Sequence, residues 1–267
     1  MRNRNGLVKN CRIFGGYEVG GVMGATASSW EFYALDSTIS TIYGSQYEEL
    51  TQSPAPSPPN ASHNKNIGGI SARINLGSGR LIGGGAVNCI IGAEGADNVG
   101  GVYGYCAQST SDFFCLDSIV YGGNNVGGIV GYHRACAVYN CQSNADVIAS
   151  GENAGGISGY MYINRDLDGT NVPRLVGNYY VGNVSAADYA GGLVGRTSDE
   201  LSGDNSRLIV AANVTANGSH GNIVGNLVGG TNFTYLRIYN NSVLSVGRSA
   251  GKRLPRFTPR IPKRLPG

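Results

Sequence analysis

Asn125-Val126-Gly127-Gly128-Ile129-Val130-Gly131-Tyr132 decides how the chain is read, because close copies of it recur along most of the length. They are Val19-Gly20-Gly21-Val22-Met23-Gly24, Ile67-Gly68-Gly69-Ile70-Ser71-Ala72, Val99-Gly100-Gly101-Val102-Tyr103-Gly104, Ala154-Gly155-Gly156-Ile157-Ser158-Gly159 and Ala190-Gly191-Gly192-Leu193-Val194-Gly195. A degraded seventh copy is Gly221-Asn222-Ile223-Val224-Gly225. Counted from the first glycine of each, the spacings are 48, 32, 27, 28, 36 and 30 residues. A block returning every ~27–30 residues, lengthened in two places, marks stacked repeats whose units bury their apolar faces only against their neighbours.

Residues 125–152 serve as the type rung. The pattern predicts strands over 126–132, 137–141 and 145–149, with Ser150-Gly151-Glu152-Asn153 turning into the next block. Three strands of about five residues and turns of about four sum to the observed period. No segment holds a helical period. The expected fold is therefore all-β, a parallel β-solenoid (β-helix) of about seven rungs, each of ~27–30 residues in three short strands. It is expected to cover residues 1–247. Residues 45–65 carry Pro54, Pro56, Pro58 and Pro59 and read as an extended loop inserted at one turn of the coil. Residues 248–267, with four prolines among seven Lys or Arg and no acid, read as a disordered tail with no specific role.

Glycine supplies 43 of the 267 residues, more than a soluble domain needs for its turns. In each block the position after the glycine pair is aliphatic: Val22, Ile70, Val102, Ile129, Ile157, Leu193 and Ile223, allowing for the lost second glycine in the last copy. Period-two alternation puts the first and last glycines on the same inward side as that residue. Glycine weakens a strand, so its recurrence implies walls that approach too closely for a Cβ. A second pattern is Asn10, Asn88, Asn140 and Asn178, each followed by Cys11, Cys89, Cys141 or Tyr179. It predicts one asparagine ladder beside one column of small inward apolar residues, joined by Cys115. Adjacent rungs also come near the spacing a disulfide needs, with Cys106 and Cys136 less defined.

The charge is informative once divided. The formal net charge is +3, yet residues 1–247 hold thirteen basic against seventeen acidic side chains. A mildly acidic body argues against nucleic acid as its partner. No run of 18 apolar residues exists, so no membrane span is expected. Leu7-Val8-Lys9-Asn10-Cys11 matches the middle of a rung, so the chain is expected to be a piece of something longer or to rely on a neighbour. The opening Met1-Arg2-Asn3-Arg4-Asn5-Gly6 is not followed by an apolar stretch long enough for a signal peptide.

Candidate chemistry is sparse. His63, His133 and His220 lie far apart and each reads as an ordinary surface residue. The glycine blocks are not dinucleotide fingerprints, since no helix follows to present N–H groups to a pyrophosphate. Asn164, Asp166 and Asp168, followed by Gly169, have the alternating oxygen donors of a calcium loop, although Leu175 stands where the bidentate glutamate belongs. They are the one candidate metal set, for Ca2+, beside the simpler reading of a polar loop; no other cofactor is expected. Asp199, Glu200 and Asp204 are acids in a loop after a block and define the alternative function, a carbohydrate-active β-helix with carboxylates on adjacent rungs. No other catalytic residue is assigned.

The block Gly192-Leu193-Val194-Gly195, its variant Gly128-Ile129-Val130-Gly131, and the Val-x-Asn-Cys that follows resemble the GLUG repeat family of bacterial secreted and surface proteins. The resemblance covers about residues 7–247. It implies a parallel β-solenoid in an extracellular or cell-surface, adhesin-like role, with glycan or a host surface protein as partner. Some GLUG-containing proteins resemble IgA-cleaving metallopeptidases, whose chemistry belongs to a separate zinc domain. No H-E-x-x-H occurs here, so that activity is not implied.

Overall fold

The computed structural model describes residues 5–16, 18–27, 29–41, 66–75, 81–134, 137–162, 174–198, 201, 205–227, 233–234 and 237–239. The insertion at 45–65 and the tail at 248–267 lie outside them. Among the described residues there is no helix, and all strand pairing is parallel. The chain is a β-solenoid with three parallel sheets for walls. Two sheets have seven strands each, one strand from every glycine block, and the third has 17.

The block is not one strand. Around Gly128 the first wall contributes Asn124–Gly127 and the second contributes Val130–Arg134, with a corner between them. The expected single strand over 126–132 is thus bent in its middle. Hydrogen bonding continues through the bend: Gly128 N–H donates to Gly155 O at 3.1 Å, and the Ile129 and Val130 amides both donate to Ile157 O at 3.0 Å. Because the path turns, Ile129 and Val130 are both fully buried, which simple alternation would not allow. The aliphatic residue after the glycine pair points inward as expected. Ile70, Val102, Ile129, Ile157 and Leu193 are fully buried, each burial worth about 1.5–3 kcal/mol.

The glycines are explained by what a Cβ would meet. On Gly127 it would lie 2.0 Å from Val130 O across the corner, and on Gly131 2.5 Å from the backbone of Asn98 and Val99 in the preceding rung. The second glycine also faces a wall, which alternation had not indicated. A Cβ on Gly101 would fall 2.5 Å from Cys115 Sγ, and one on Gly128 2.6 Å from Ser143 Oγ. Both side chains belong to the third wall, so all three walls converge on the glycine corner.

In the type rung the third wall runs through Ala137–Tyr139, Gln142–Ser143 and Asp146–Ala149. In the four rungs before it the wall breaks once, at an Asn or Asp with left-handed backbone: Asn10, Asp36, Asn88 and Asp117 have φ of 54°, 49°, 52° and 49°. Short polar side chains tolerate that conformation best after glycine, which explains the residue type at the bend.

The expected asparagine and cysteine columns are corrected by the register. Arg12 pairs Thr38, Thr38 pairs Ile90 and Ile90 pairs Ile119, which aligns Cys11, Ser37, Cys89 and Ser118. Serines of intervening rungs thus separate the cysteines, and the Cys11 and Cys89 amides donate to Ser37 Oγ and Ser118 Oγ at 3.1 and 3.0 Å. Cys115 occupies another column, between Ala86 and Ser143, and the Cys141 amide N–H donates to Asn178 Oδ1 at 3.0 Å. The five described cysteines are free of disulfides, while Cys136 lies outside the described residues. Burial pushes the Cys115 and Cys141 thiols up to about 12, so they serve as packing groups and not as nucleophiles.

A continuous asparagine ladder does exist, two residues before the first glycine of the second to fifth blocks. Asn98 donates to Asn66 Oδ1 at 2.9 Å, Asn125 to Asn98 Oδ1 at 2.9 Å and Asn153 to Asn125 Oδ1 at 2.7 Å. Every amide points its N–H toward the N-terminal side. The direction is set by an acceptor-only group at that end, the Glu18 carboxylate, which takes the Asn66 amide at 3.1 Å. At the other end Tyr189 stands in register, and Asn153 Oδ1 is buried with no partner.

Two outcomes follow for urea unfolding. Gly131→Ala is expected to lower stability by about 3 kcal/mol or more through overpacking against a fixed backbone. Gly24→Ala, at the same block position but 3.8 Å from its nearest neighbour, is expected to cost about 1 kcal/mol or less. Asn125→Ala strips a donor and an acceptor from the ladder, whereas Asn153→Ala loses one bond and removes an orphaned oxygen. The first is expected to be costlier by about 1–2 kcal/mol, since both residues share the left-handed backbone (φ 53° and 59°) and that penalty cancels. Equal costs would show that the ladder's hydrogen bonds do not carry stability.

Candidate binding face

The second wall turns alternate side chains outward, and in-register stacking converts a recurrent residue type into a surface column. Arg73 pairs Tyr105, Tyr105 pairs Tyr132, Tyr132 pairs Tyr160 and Tyr160 pairs Arg196. The Tyr105 and Tyr132 rings stack with centroids 5.5 Å apart and planes 16° apart. Tyr160 then meets Tyr132 edge-on at 5.4 Å, and Tyr162, two residues further along the same strand, lies 5.9 Å from Tyr132. The three column tyrosines and Tyr162 are half-buried, leaving part of each open to solvent.

Arginines close both ends. The Arg73 guanidinium lies 5.4 Å from the Tyr105 centroid, and that of Arg196 lies 5.7 Å from Tyr160 and 5.3 Å from Tyr189. Such contacts contribute about 0.5–1 kcal/mol each at partly exposed sites. Glu18 and Glu152 hold the arginines at 3.6 and 3.5 Å. Solvent screens these pairs, so they orient the guanidinium planes more than they stabilise the fold.

The Tyr132 and Tyr160 hydroxyls stay protonated across the physiological range. Burial raises Tyr132 well above the usual phenol value, assisted by the neighbouring Tyr160, Tyr162 and Tyr105. Burial also raises Tyr160, against the lowering effect of Arg196. The face therefore offers neutral hydroxyls that both donate and accept hydrogen bonds, along a strip of aromatic carbon.

A concavity of about 350 Å³ sits at the bend of the third wall, lined by Asp36, Ser37, Thr38, Asn88, Cys89, Ile90, Asp117 and Ile119. Its two carboxylates are already committed to ladder bonds. Asp36 accepts from Asn88 and Asp117 from Asn144, both at 2.8 Å. Two of its lining residues, Ile90 and Ile119, remain exposed.

Asn164, Asp166 and Asp168, and the acids Asp199, Glu200 and Asp204, all lie outside the described residues, as does His63. Among the described residues no group of three or more His, Cys, Asp or Glu is placed to hold a metal, and no helix is long and apolar enough to cross a membrane. His220 is exposed as expected. His133 is not: it is fully buried, because it follows the outward Tyr132 on the same strand and alternation turns it into the core. The tyrosine column itself was missed from sequence. Its signal was the aromatic that directly follows the last glycine in Gly104-Tyr105, Gly131-Tyr132 and Gly159-Tyr160.

Comparison with known proteins adds little. No family model matches the chain, and no curated protein matches it. Among solved structures it is similar to a candidate immunoglobulin A1 protease from Bacteroides ovatus, at 19% identity with a TM-score of 0.41. That match covers 88% of this chain and 60% of the other, so this chain spans about three fifths of that protein's length.

Burial lowers the His133 imidazole to about 4, only partly offset by its bond to Gln108 O. A folded-state value below the unfolded one of about 6.5 means that the unfolded chain takes up the proton first as pH falls. His133 therefore contributes stability that is complete above about pH 6.5 and is lost progressively down to about pH 4, up to about 3 kcal/mol. In unfolding midpoints measured from pH 7 to pH 4, His133→Gln should flatten this dependence relative to the parent. An unchanged slope would remove His133 from the account.

Proposed function

We propose that the chain is a non-catalytic structural and adhesive module of a bacterial secreted or cell-surface protein, and that it binds glycan through the tyrosine face of its second wall. The observation that carries this reading is the in-register column Tyr105–Tyr132–Tyr160 between Arg73 and Arg196. Sugars present alternating hydroxyl and C–H surfaces, and half-exposed tyrosines answer both, with a neutral hydroxyl for the first and ring carbon for the second. Repetition at one tyrosine per rung, about 4.8 Å apart, lets a polymer gain from several weak contacts together. The GLUG-like blocks support the surface assignment.

The test is binding of the purified chain to an immobilised glycan panel covering neutral and acidic bacterial and host polysaccharides. Tyr132→Ala and Tyr162→Ala are each expected to weaken the best ligand about tenfold or more, while Tyr121→Ala on the third wall leaves it unchanged. Silence across the panel, or equal binding by the three variants and the parent, would overturn the assignment.

A further inference from the structure

Cys106, His133 and Met161 stack on one another in the interior. Their Cα atoms are register partners on three consecutive strands of the second wall, Cys106 with His133 and His133 with Met161. All three side chains are fully buried. The column holds a thiol, an imidazole and a thioether, one above another, within an otherwise largely aliphatic core.

The hydrogen bonding of His133 determines its tautomer. Nε2 lies 3.2 Å from the Gln108 backbone oxygen, which can only accept, so Nε2 carries the proton. Nδ1 is left as a bare lone pair, and it is buried with no partner. A ring nitrogen that donates to a backbone carbonyl while the other presents its lone pair is the arrangement of metal-bound histidine. Gln108 O also accepts from Cys106 Sγ at 3.2 Å, so one carbonyl orients both side chains.

We propose that Cys106 and His133 Nδ1, completed by Met161, form a binding site for a soft monovalent d10 cation, Cu(I) or its analogue Ag(I). Spacing supports this. In-register side chains recur every ~4.8 Å, and two ligands bound to one ion at about 2.0–2.3 Å each stand ~4 Å apart. Backbone spacing therefore lets both reach one ion once the Cys106 thiol, which as a thiolate can no longer donate to Gln108 O, turns toward Nδ1, and the flexible methionine can reach the same ion from the next rung. Donor type selects the ion, since thiolate and thioether favour soft monovalent copper over hard cations. Charge selects it as well. On binding, the Cys106 thiol releases its proton to solvent, so one thiolate and one monovalent cation leave a neutral complex. A divalent ion at the same ligands would leave a net positive charge in an apolar core, which is costly. The site is independent of the tyrosine face, because these side chains point to the opposite side of the second wall.

The test is anaerobic titration of the full chain with Cu(I) in competition with bathocuproine disulfonate, both by incubation and by refolding in its presence, followed by copper X-ray absorption. The expected result is one ion per chain in a mixed nitrogen and sulfur shell. Met161→Leu, which conserves volume, should weaken binding about tenfold, and His133→Gln should remove the nitrogen scatterer with at least as large a loss. Cys11→Ala, which removes an exposed thiol, should change neither. A sulfur-only shell in the parent protein, or no ion retained against the competitor, overturns the proposal and leaves the Nδ1 lone pair to a buried water. The absorption result decides even if His133→Gln fails to fold.

Discussion

Everything in this molecule depends on three walls meeting where no side chain fits. At the corner of each rung the first wall turns into the second around a glycine pair, and the third wall approaches that pair from across the core. A Cβ on Gly100 would fall 1.9 Å from Tyr103 O, and one on Gly156 2.4 Å from the Tyr180 ring. The corner draws its stability from what it permits: an unbroken parallel ladder through the bend, and an aliphatic residue beside it that is sealed in the second to sixth blocks. Glycine's entropic cost in a strand is offset by this burial, repeated from rung to rung.

Once the corner is fixed, the parallel register does the rest. A residue type recurring in sequence becomes a column in space, and what the column does depends on the side it faces. Asparagine two residues before the glycines becomes a directional amide ladder, polarised by Glu18. Tyrosine directly after the last glycine becomes an outward aromatic strip closed by Arg73 and Arg196. One position further, the same strands bury Cys106, His133 and Met161. The candidate binding strip and the proposed metal column thus sit at successive positions of the same strands, on opposite sides of the second wall, while the amide ladder runs along the first.

The functional reading therefore rests on surfaces and columns. The acids that the described walls bring to a concavity, Asp36 and Asp117, are engaged by asparagine amides and serve as ladder acceptors. The tyrosine strip offers a ligand hydroxyls that donate and accept, beside ring carbon.

The repeat, the all-β class, the parallel coil and the inward aliphatic position were legible from sequence, because each follows from spacing and residue type within one rung. The bend inside the glycine block was not, since a corner and a straight strand share the same local pattern until the opposing wall is known. Column membership was not legible either. Cys11 and Cys89 looked like neighbours, but the rung between them contributes Ser37, which carries no cysteine signal. His133 looked like a surface residue because a lone polar side chain gives no clue to its side of a strand. Sequence by itself determined the period and what repeats in it. Only the tertiary structure decided what stacks on what, because register between distant segments is set by close packing at the glycine corners.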